Sequence, residues 1–412
     1  MKILFLSDDF PPTSFGGAGI STCDIALGMK KAGHEVFVVT TCRKEIDSGE
    51  SDYEGIKVYR IASDYPGRWR SWISLYNRPV VSRVEELIRQ LKPDVVHANN
   101  IHFYLSYACL KVAKKNCKAV VFTARDVMTF NFSKLTTKRY LENFDYHTTW
   151  RDHIKQAGKR WNPLRNIIIK RYLGYADKIL AVSDALRKAL EQNRIRNVEV
   201  MHSGIDVDSW RVSNEDGINF RQKYGTDNKK VILFGGRLSD AKGCKQVLGA
   251  MVEILKNIPN AVLLIVASLD GHTNQLTAEA NKLEIGDRLL FTGWVGRDKI
   301  KFTYACADIV LVTSICFDSF PRIVLEAMAS GKPVVGTCYG GASEAIIDGV
   351  TGYVVNPFDV DIMSKQIVDL LSNHHKAAEF GHAGRQRIQA DFNLDIKVSE
   401  LISDYKKILS SK

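Results

Sequence analysis

The stretch "KKVILFGGRLSDAKG" (residues 229–243) repeats, midway along the chain, the pattern with which the sequence opens. Its apolar run predicts a buried strand, its glycines predict a tight turn, and a helical pattern follows over residues 243–256. The opening "KILFLS" (2–7) is also an apolar run, and a glycine-rich loop and a helical pattern that stops near Gly33 come after it. The repetition predicts two α/β units.

Further apolar runs continue the pattern in both halves. They are "EVFVVTT" (35–41), "DVVHA" (94–98), "AVVFTA" (119–124) and "YADKILAVS" (175–183), then "AVLLIVAS" (261–268), "LLFTG" (289–293), "DIVLVTS" (308–314) and "PVVGT" (333–337). Helical patterns lie between them, for example over 80–91 and 104–115. Strands that are apolar on both faces are typical of parallel sheets covered by helices. We therefore predict an α/β fold of two doubly wound, Rossmann-like domains that face each other across a cleft, with the polar segment 201–228 as a hinge.

Composition and cysteine spacing limit the function classes. No apolar run approaches the ~18 residues of a membrane span, and the opening "MKILFLSDDF" meets two acids too early for a secretory signal. The sequence thus predicts a cytoplasmic protein. Its eight cysteines are scattered without zinc-site or redox-motif spacing, which predicts reduced thiols and no structural metal.

The charge balance favours anionic partners. The chain carries 57 Lys and Arg against 46 Asp and Glu, a net charge of +11. The segments "RWRSWISLYNR" (68–78) and "KRWNPLRNIIIKRY" (159–172) mix aromatic, apolar and basic residues, which is typical either of a membrane interface or of core helices with basic rims. No nucleic-acid-binding module is visible, so we do not expect a nucleic-acid partner.

Two loops that follow predicted strands carry features of a phosphate site. In "FGGAGIS" (15–21), Gly16 and Gly17 let backbone amides approach an anion at a helix start, but the spacing is not that of a dinucleotide fingerprint. In "GGRLSDAKG" (235–243), Arg237 and Lys242 lie five residues apart at a helix start. They are either surface cations or a cradle for a diphosphate, and their place at a strand end favours the cradle.

Two acids follow in "FDSFPRIVLEAMASGKPVV" (317–335). Pro321 and Gly331 bracket a short helix, so that Asp318 precedes the helix and Glu326 lies within it. The acids could serve as an acid–base pair, as metal ligands, as clamps on ligand hydroxyls or as solvated surface groups. Free amides at the helix start could bind a phosphate while the carboxylates accept hydrogen bonds from a sugar, which fits a nucleotide joined to a sugar.

Together these motifs resemble one family. "GGRLSDAKG", "FTGWVGRDKIKFTYACADIVLVTS", "FDSFPRIVLEAMASGKPVVGT" and "GGASEAIIDGVTGYVV" stand in the order found in the retaining nucleotide-sugar glycosyltransferases of family 4, which have the GT-B fold. The first half is similar as well, in "GGAGIS" and "KPDVVHANN". The resemblance implies an acceptor domain at 1–205, a donor domain at 206–395, and a helix at 396–412 that returns to the first domain.

The resemblance also implies roles for individual residues. Arg237 and Lys242 would hold the donor diphosphate, Asp318 the transferring sugar and Glu326 the nucleotide ribose. Further donor contacts would come from Val295 at the base, from Ser319, Phe320, Pro321 and Arg322 at sugar and phosphate, and from Gly16 and Gly17 on closure. Asp126 is included among the expected catalytic residues, next to Arg125, whose position in the family faces the reacting sugar.

Two positions depart from the family pattern. The first acid of the pair is usually Glu, so Asp318 leaves the identity of the donor sugar open. Many relatives have His where this chain has Arg125, which could stabilise a phosphate or an acidic acceptor, or pair with Asp126. His97 and His102 are either close to the ligand or simply packed and hydrogen-bonded.

The resemblance implies a retaining, metal-independent hexosyl transfer without a cofactor. The co-substrate would be a UDP- or GDP-sugar, and the acceptor a glycan or a lipid-linked molecule of cell-surface polysaccharide or glycolipid biosynthesis. The protein would be cytoplasmic, with an anionic membrane surface, such as the inner face of the plasma membrane, as a further partner. A glycoside hydrolase, a sugar-nucleotide epimerase of GT-B shape and a non-catalytic sugar-nucleotide binding protein are the alternatives.

Overall fold

The computed structural model describes residues 1–14, 16–236 and 238–412, with the side chain of Asn214 excepted. The chain divides into two compact units. Unit 1 comprises Met1–Gly204 together with Leu394–Lys412, and unit 2 comprises Ile205–Asn393.

Unit 1 is built on an eight-stranded sheet. Its strands are β1 (Lys2–Ser7), β2 (Glu35–Cys42), β3 (Gly49–Tyr53), β4 (Ile56–Ala62), β5 (Val95–Asn99), β6 (Ala119–Ala124), β7 (Lys178–Ala181) and β8 (Val198–Val200). They lie in the order β3-β4-β2-β1-β5-β6-β7-β8, and all neighbours are parallel except the pair β3 and β4. The antiparallel hairpin β3–β4 was not predicted, because its first strand is polar and carries no apolar run.

The helices of unit 1 connect these strands. They are α1 (Gly17–Lys31), α2 (Arg70–Ile73), α3 (Arg78–Leu91), α4 (Ala108–Asn116), α5 (Lys138–Asn143), α6 (Trp150–Ala157), α7 (Arg165–Leu173) and α8 (Asp184–Gln192). The predicted helix at 80–91 lies within α3, whose apolar face is buried. The helix predicted at 104–115 begins only at Ala108, because the backbone amides of residues 103–105 bind the carboxylate of Asp8 instead.

Unit 2 holds a six-stranded sheet in which all neighbouring strands are parallel. Its strands are β9 (Lys230–Gly235), β10 (Ala261–Val266), β11 (Leu289–Phe291), β12 (Ile309–Val312), β13 (Val334–Thr337) and β14 (Gly352–Val355), in the order β11-β10-β9-β12-β13-β14. Its helices are α9 (Asn214–Lys223), α10 (Cys244–Asn257), α11 (Gly271–Lys282), α12 (Ile300–Cys306), α13 (Arg322–Ala329), α14 (Ala342–Ala345), α15 (Val360–Ser372) and α16 (His374–Asp391).

The core of unit 2 shows why its strands are apolar throughout. Within β9, Ile232 and Phe234 pack into one cluster of buried side chains, whereas Val231 and Leu233 pack into another. Successive strand residues point to opposite faces, so both faces of this sheet are covered. The predicted doubly wound α/β architecture is confirmed in both units.

The segment 201–228 differs from the predicted polar hinge. From Ile205 onward it belongs to unit 2, where Ile205, Val207 and Trp210 are buried in the core and α9 follows. The helical pattern in this segment was too weak to be recognised from sequence.

The final helix, α17 (Leu394–Ser410), belongs to unit 1. It approaches α1 so closely that a Cβ on Gly28 would lie 2.6 Å from Cγ2 of Val398. Its Tyr405 is fully buried against the sheet. Across the described part of the chain, no helix is both long and apolar enough to cross a membrane.

Candidate active site

The loop after β9 carries Lys242 at the end of a 3-10 helix, Asp240–Lys242. Gly243 turns the chain into α10 with a left-handed backbone (φ 77°), and a Cβ at this position would lie 2.1 Å from the carbonyl oxygen of Thr313. Thr313 in turn donates a hydrogen bond to the Lys242 carbonyl at 3.1 Å. The left-handed backbone and the lack of room for a Cβ both require glycine at position 243. Gly243 therefore allows the loop to pack against the end of β12.

Lys242 and Asp318 form one hydrogen-bonded ion pair. Nζ of Lys242 lies 2.6 Å from Oδ2 of Asp318 and 3.3 Å from Oγ of Ser314, and Ser314 also donates to Asp318 at 3.1 Å. The two charged side chains are 26% and 20% exposed. Burial disfavours the ammonium, but the Asp318 carboxylate outweighs this effect and holds the pKa of Lys242 above its usual value. Lys242 therefore carries a full positive charge at neutral pH.

The backbone of Asp318 is held by a glycine pair. Gly341 donates its amide hydrogen to the Asp318 carbonyl at 2.9 Å, and Gly340 (φ 92°) pairs with Asp318 in an isolated parallel bridge. A Cβ on Gly340 would lie 2.0 Å from the same carbonyl oxygen, so no larger residue fits. This contact positions the Asp318 carboxylate beside Lys242.

Glu326 belongs to a second, separate network. It lies inside α13, where its two carboxylate oxygens accept hydrogen bonds from the Tyr304 hydroxyl at 2.6 Å and from Nε of Arg322 at 2.7 Å. Tyr304 is buried, and burial together with the nearby carboxylate raises its pKa well above the usual range. The phenol is therefore a permanent donor that fixes the Glu326 side chain.

The start of α13 lies between the two networks. Pro321 is its N-cap residue and Gly331 follows its end with a left-handed backbone (φ 70°), so the predicted helix limits are confirmed to within one residue. Ser319 is buried, and the Phe320 ring packs 5.7 Å from that of Phe392. The positive end of the α13 dipole thus follows Asp318, the partner of Lys242, closely along the chain.

The remaining residues expected at the donor lie elsewhere or are not described. Arg237 lies outside the described residues. Val295 is half-buried in the loop after β11. Gly16 and Gly17 begin α1 in unit 1, where Asp9 approaches the glycine loop: its Oδ2 would lie 3.5 Å from a Cβ on Gly16. The role of each of these residues stays a prediction.

In unit 1, Asp126 follows β6 and caps a 3-10 helix, Val127–Thr129, by accepting the Met128 amide at 2.9 Å. Its other oxygen lies 3.4 Å from Nε2 of the buried His102. Burial raises the pKa of Asp126, whereas burial and nearby arginines hold the pKa of His102 well below its usual value. His102 is therefore neutral beside a carboxylate that ionises less readily than usual.

Arg125 and His97 have structural partners in unit 1. Arg125 donates to Asn99 at 3.2 Å and to Ser203 at 3.1 Å. The two ring nitrogens of His97 lie 2.5 Å from the Tyr405 hydroxyl and 2.7 Å from Oγ1 of Thr123. Burial lowers the pKa of His97 to about 3. His97 is thus a packed, neutral residue that links β5 and β6 to α17.

Sequence reasoning missed three contributors to the site. Tyr304 and Ser314 were not assigned a role, although both stand in the motifs that carry the family resemblance. The pair Gly340–Gly341 opens the motif "GGASEAIIDGVTGYVV", which carries the family resemblance but predicts no role for these two glycines. A glycine doublet that follows a predicted strand is the one signal that indicated a close backbone approach here.

Comparison with known proteins covers nearly the whole chain. Residues 15–209 match the family described as Glycosyltransferase Family 4, and residues 216–387 match the glycosyl transferases group 1. The chain belongs to glycosyltransferase family 4. An uncharacterised glycosyltransferase of Methanocaldococcus jannaschii is 26% identical to it in an alignment of 420 positions that covers 98% of each chain.

Other relatives of this glycosyltransferase have named activities or solved structures. A GDP-mannose-dependent alpha-(1-6)-phosphatidylinositol monomannoside mannosyltransferase of Mycolicibacterium smegmatis is 27% identical over 241 residues, 57% of this chain and 63% of the relative. The crystal structure of Anabaena HepE with UDP and glucose superposes with a TM-score of 0.74 at 21% identity, over 99% of this chain and 100% of HepE. This likeness confirms the predicted GT-B fold for the glycosyltransferase.

Proposed function

We propose that the enzyme moves a hexosyl group from a UDP- or GDP-sugar to a glycan or lipid-linked acceptor, with retention of the anomeric configuration. The observation that carries this proposal is the largely buried Lys242–Asp318 pair, in which Asp318 stands shortly before the N-cap residue of α13, Pro321. An ammonium group and a helix dipole favour a diphosphate at the same place where a carboxylate can accept hydrogen bonds from a sugar. The ligands named for HepE and for the mycobacterial relative, UDP with glucose and GDP-mannose, support this donor class.

The proposed reaction proceeds on one face of the sugar. The bond between the anomeric carbon and the diphosphate oxygen breaks, the acceptor oxygen bonds to that carbon from the same face, and the leaving phosphate takes the acceptor proton. Lys242 stabilises the negative charge that grows on the leaving group. Without a ligand, the positive charge of Lys242 is offset by the Asp318 carboxylate. The donor phosphate therefore has to share the ammonium with Asp318, and we propose that donor binding rearranges this pair.

Glu326 holds the nucleoside in the proposal. Its carboxylate is oriented by Tyr304 and Arg322, yet each oxygen keeps acceptor capacity for a ribose hydroxyl. Because the orienting groups are largely buried, the carboxylate is positioned before the ligand arrives. Such preorganisation reduces the entropy lost on binding.

The acceptor is proposed to bind unit 1, close to a membrane. The 3-10 helix Gly67–Trp69 packs against Gly158–Arg160, so the two basic-aromatic segments form one surface. Large apolar side chains on this surface stay exposed: Trp69 by 49%, Trp72 by 48%, Leu164 by 55% and Ile167 by 66%. Exposed Trp and Ile among Arg and Lys suit the headgroup region of an anionic bilayer better than a packed core.

A thermal-shift panel of UDP, GDP and ADP, each with its glucose and mannose conjugates, tests the donor assignment. We expect one nucleoside diphosphate to raise the melting temperature, and we expect Lys242→Ala to abolish most of the rise. Product analysis with the stabilising donor then shows whether the released sugar keeps its anomeric configuration. No stabilisation by any nucleotide, or an inverted product, would contradict the proposal.

A further inference from the structure

Four segments of unit 1 bring charged and hydroxyl side chains together at the carboxyl ends of β1, β5 and β6. They are the stretch around α2, the loop 101–107, the loop 125–132 and the start of α7. Hydrogen bonds join them: Tyr107 donates its amide hydrogen to the Ser74 carbonyl at 2.9 Å, and Asn162 donates to the Ser71 carbonyl at 2.9 Å. We call the side chains gathered here the Arg70–Arg165 cluster; its other members are Tyr107, Thr129, Asp126, His102 and Arg160.

Two guanidinium groups are held in place within this cluster. Arg165 is only 4% exposed, lies with its guanidinium 4.7 Å from the centre of the Phe132 ring, and donates to the Met128 carbonyl. Arg70 stacks 3.4 Å from the Phe103 ring and donates from Nε to the His102 carbonyl at 3.3 Å. Stacking and carbonyl bonds orient both planes without neutralising their charge.

Several buried donors of the cluster have no acceptor among the described residues. They are Nη2 of Arg70, the hydroxyl of the fully buried Tyr107 and the hydroxyl of Thr129, a residue that is 2% exposed. A buried hydroxyl or N–H without an acceptor destabilises the fold, because its hydrogen bonds to water are lost and not replaced. Buried polar groups of native folds almost always have a partner, so these donors call for an acceptor such as a ligand oxygen or an ordered water.

The charge of the cluster is also unbalanced. Arg70 interacts electrostatically with the carboxylates of Asp8 and Asp126, and Arg165 with that of Asp126, while Arg160 adds a third positive charge close to both arginines. Burial lowers the pKa of Arg165 to about 10, which leaves it protonated at neutral pH, while burial raises the pKa of Asp8 to about 7 in spite of its three backbone amides. His102 is neutral, so positive charge is in excess.

We propose that the Arg70–Arg165 cluster binds a phosphate group carried by the acceptor. The inference rests on the proposed function, because it assigns the acceptor of that reaction to a phosphorylated class. Together, the guanidinium, the phenol and the alcohol offer more hydrogen-bond donors than the two oxygens of one carboxylate can readily accept. A phosphate has three or more oxygens and matches them better. The phosphate belongs either to a soluble sugar or polyol phosphate or to a phospholipid headgroup.

The first test titrates the full-length protein with inorganic phosphate by calorimetry at low salt, with and without a saturating nucleoside diphosphate. The nucleotide occupies any phosphate site in unit 2, so the remaining saturable binding reports the cluster. We expect Arg70→Gln to weaken this binding at least ~10-fold, because it removes a charged hydrogen bond. If phosphate binds but no nucleotide does, the proposed function fails while the cluster assignment stands.

Tyr107→Phe separates ligand binding from a structural role. Since its hydroxyl has no acceptor among the described residues, its removal should leave the melting temperature unchanged or raise it, yet weaken phosphate binding about 5–10-fold. Thr40→Val is the matched control, because Oγ1 of the buried Thr40 also lacks a described partner but lies in β2, outside the cluster. It should stabilise the fold to a similar degree and leave phosphate affinity unchanged.

A second arm identifies the source of the phosphate. Flotation with vesicles of phosphatidylcholine containing phosphatidylglycerol is compared with calorimetry on glycerol phosphate, in both cases for the parent chain and Tyr107→Phe. Weaker vesicle binding by the variant indicates a lipid phosphate, and an effect on glycerol phosphate alone indicates a soluble acceptor. Absence of saturable phosphate binding, or equal affinity in the parent chain, Arg70→Gln and Tyr107→Phe, overturns the proposal.

Discussion

Replacement of Lys242 by alanine tests whether its ammonium stabilises the leaving group. Groups that stabilise developing charge in a protected site contribute about 10²–10³-fold to turnover, which corresponds to ~2.7–4 kcal/mol. Because the Lys242 side chain is about three-quarters buried and keeps its charge, we expect its contribution to turnover to fall in this range. We therefore expect Lys242→Ala to reduce turnover at least ~100-fold.

The same substitution should also weaken the fold. It removes a hydrogen bond between charged groups, which contributes about 1.5–3 kcal/mol, and leaves the Asp318 carboxylate with Ser314 as its described side-chain donor. Loss of activity through unfolding must therefore be separated from loss of catalysis. Turnover is measured as release of nucleoside diphosphate from the donor with water as acceptor, at a temperature where circular dichroism shows both proteins folded.

Lys376→Ala is a matched control for this experiment. Lys376 also forms an ion pair within unit 2, with Asp369 at 2.7 Å, but it lies on α16 rather than in the loop after β9. It should reduce the melting temperature slightly and leave turnover within about twofold, because a pair of this exposure contributes little beyond ~1 kcal/mol. Near-normal turnover of Lys242→Ala, or an equal loss in both variants, would refute the electrostatic role.

Three further outcomes follow from the site and from unit 1. Glu326→Gln should weaken nucleoside diphosphate binding about 10-fold in calorimetry, and Tyr304→Phe should weaken it less, because the phenol only orients the carboxylate; equal affinities would remove Glu326 from the donor site. Between pH 7 and pH 5, the unfolding free energy of the parent chain should fall by about 2 kcal/mol more than that of His97→Gln. The reason is that the histidine takes up a proton near pH 6.5 in the unfolded chain but only near pH 3 in the folded one. Denaturant titrations measure the difference, and parallel pH profiles of the two proteins would contradict it. Turnover should be unchanged by EDTA, because a lysine and a helix start can offset the leaving charge; a loss that Mg²⁺ restores would show a metal requirement.

The sheet architecture could be predicted because burial on both faces makes most of the central parallel strands unbroken apolar runs. The hairpin β3–β4 lacked that signal, since its first strand, "GESDY" (49–53), contains no aliphatic side chain. The segment 201–228, predicted as a hinge, does contain the boundary between the units after Gly204. That most of it belongs to unit 2 could not be predicted, because its few buried apolar residues are too far apart to show a period.

The site itself was only partly predictable. Local motifs pointed to Lys242, Asp318 and Glu326 as separate candidates, but their partners come from distant parts of the chain. Lys242 meets Asp318 across 76 residues, and Tyr304 reaches Glu326 across 22. Pairings of this kind depend on how strands are ordered in the sheet, which no single motif encodes. The Arg70–Arg165 cluster could not be predicted from sequence for the same reason, because four segments of unit 1 contribute side chains to it.

The place of α17 has a consequence for how the protein is made. Unit 2 is one uninterrupted stretch, Ile205–Asn393, whereas unit 1 takes its last helix from residues that follow that stretch. During translation, residues 1–204 therefore emerge before Tyr405, the partner of His97, has been synthesised. The N-terminal part of unit 1 is synthesised first, but it completes its core only after α17 has been made, so the order of synthesis is not the order in which the two units can be completed.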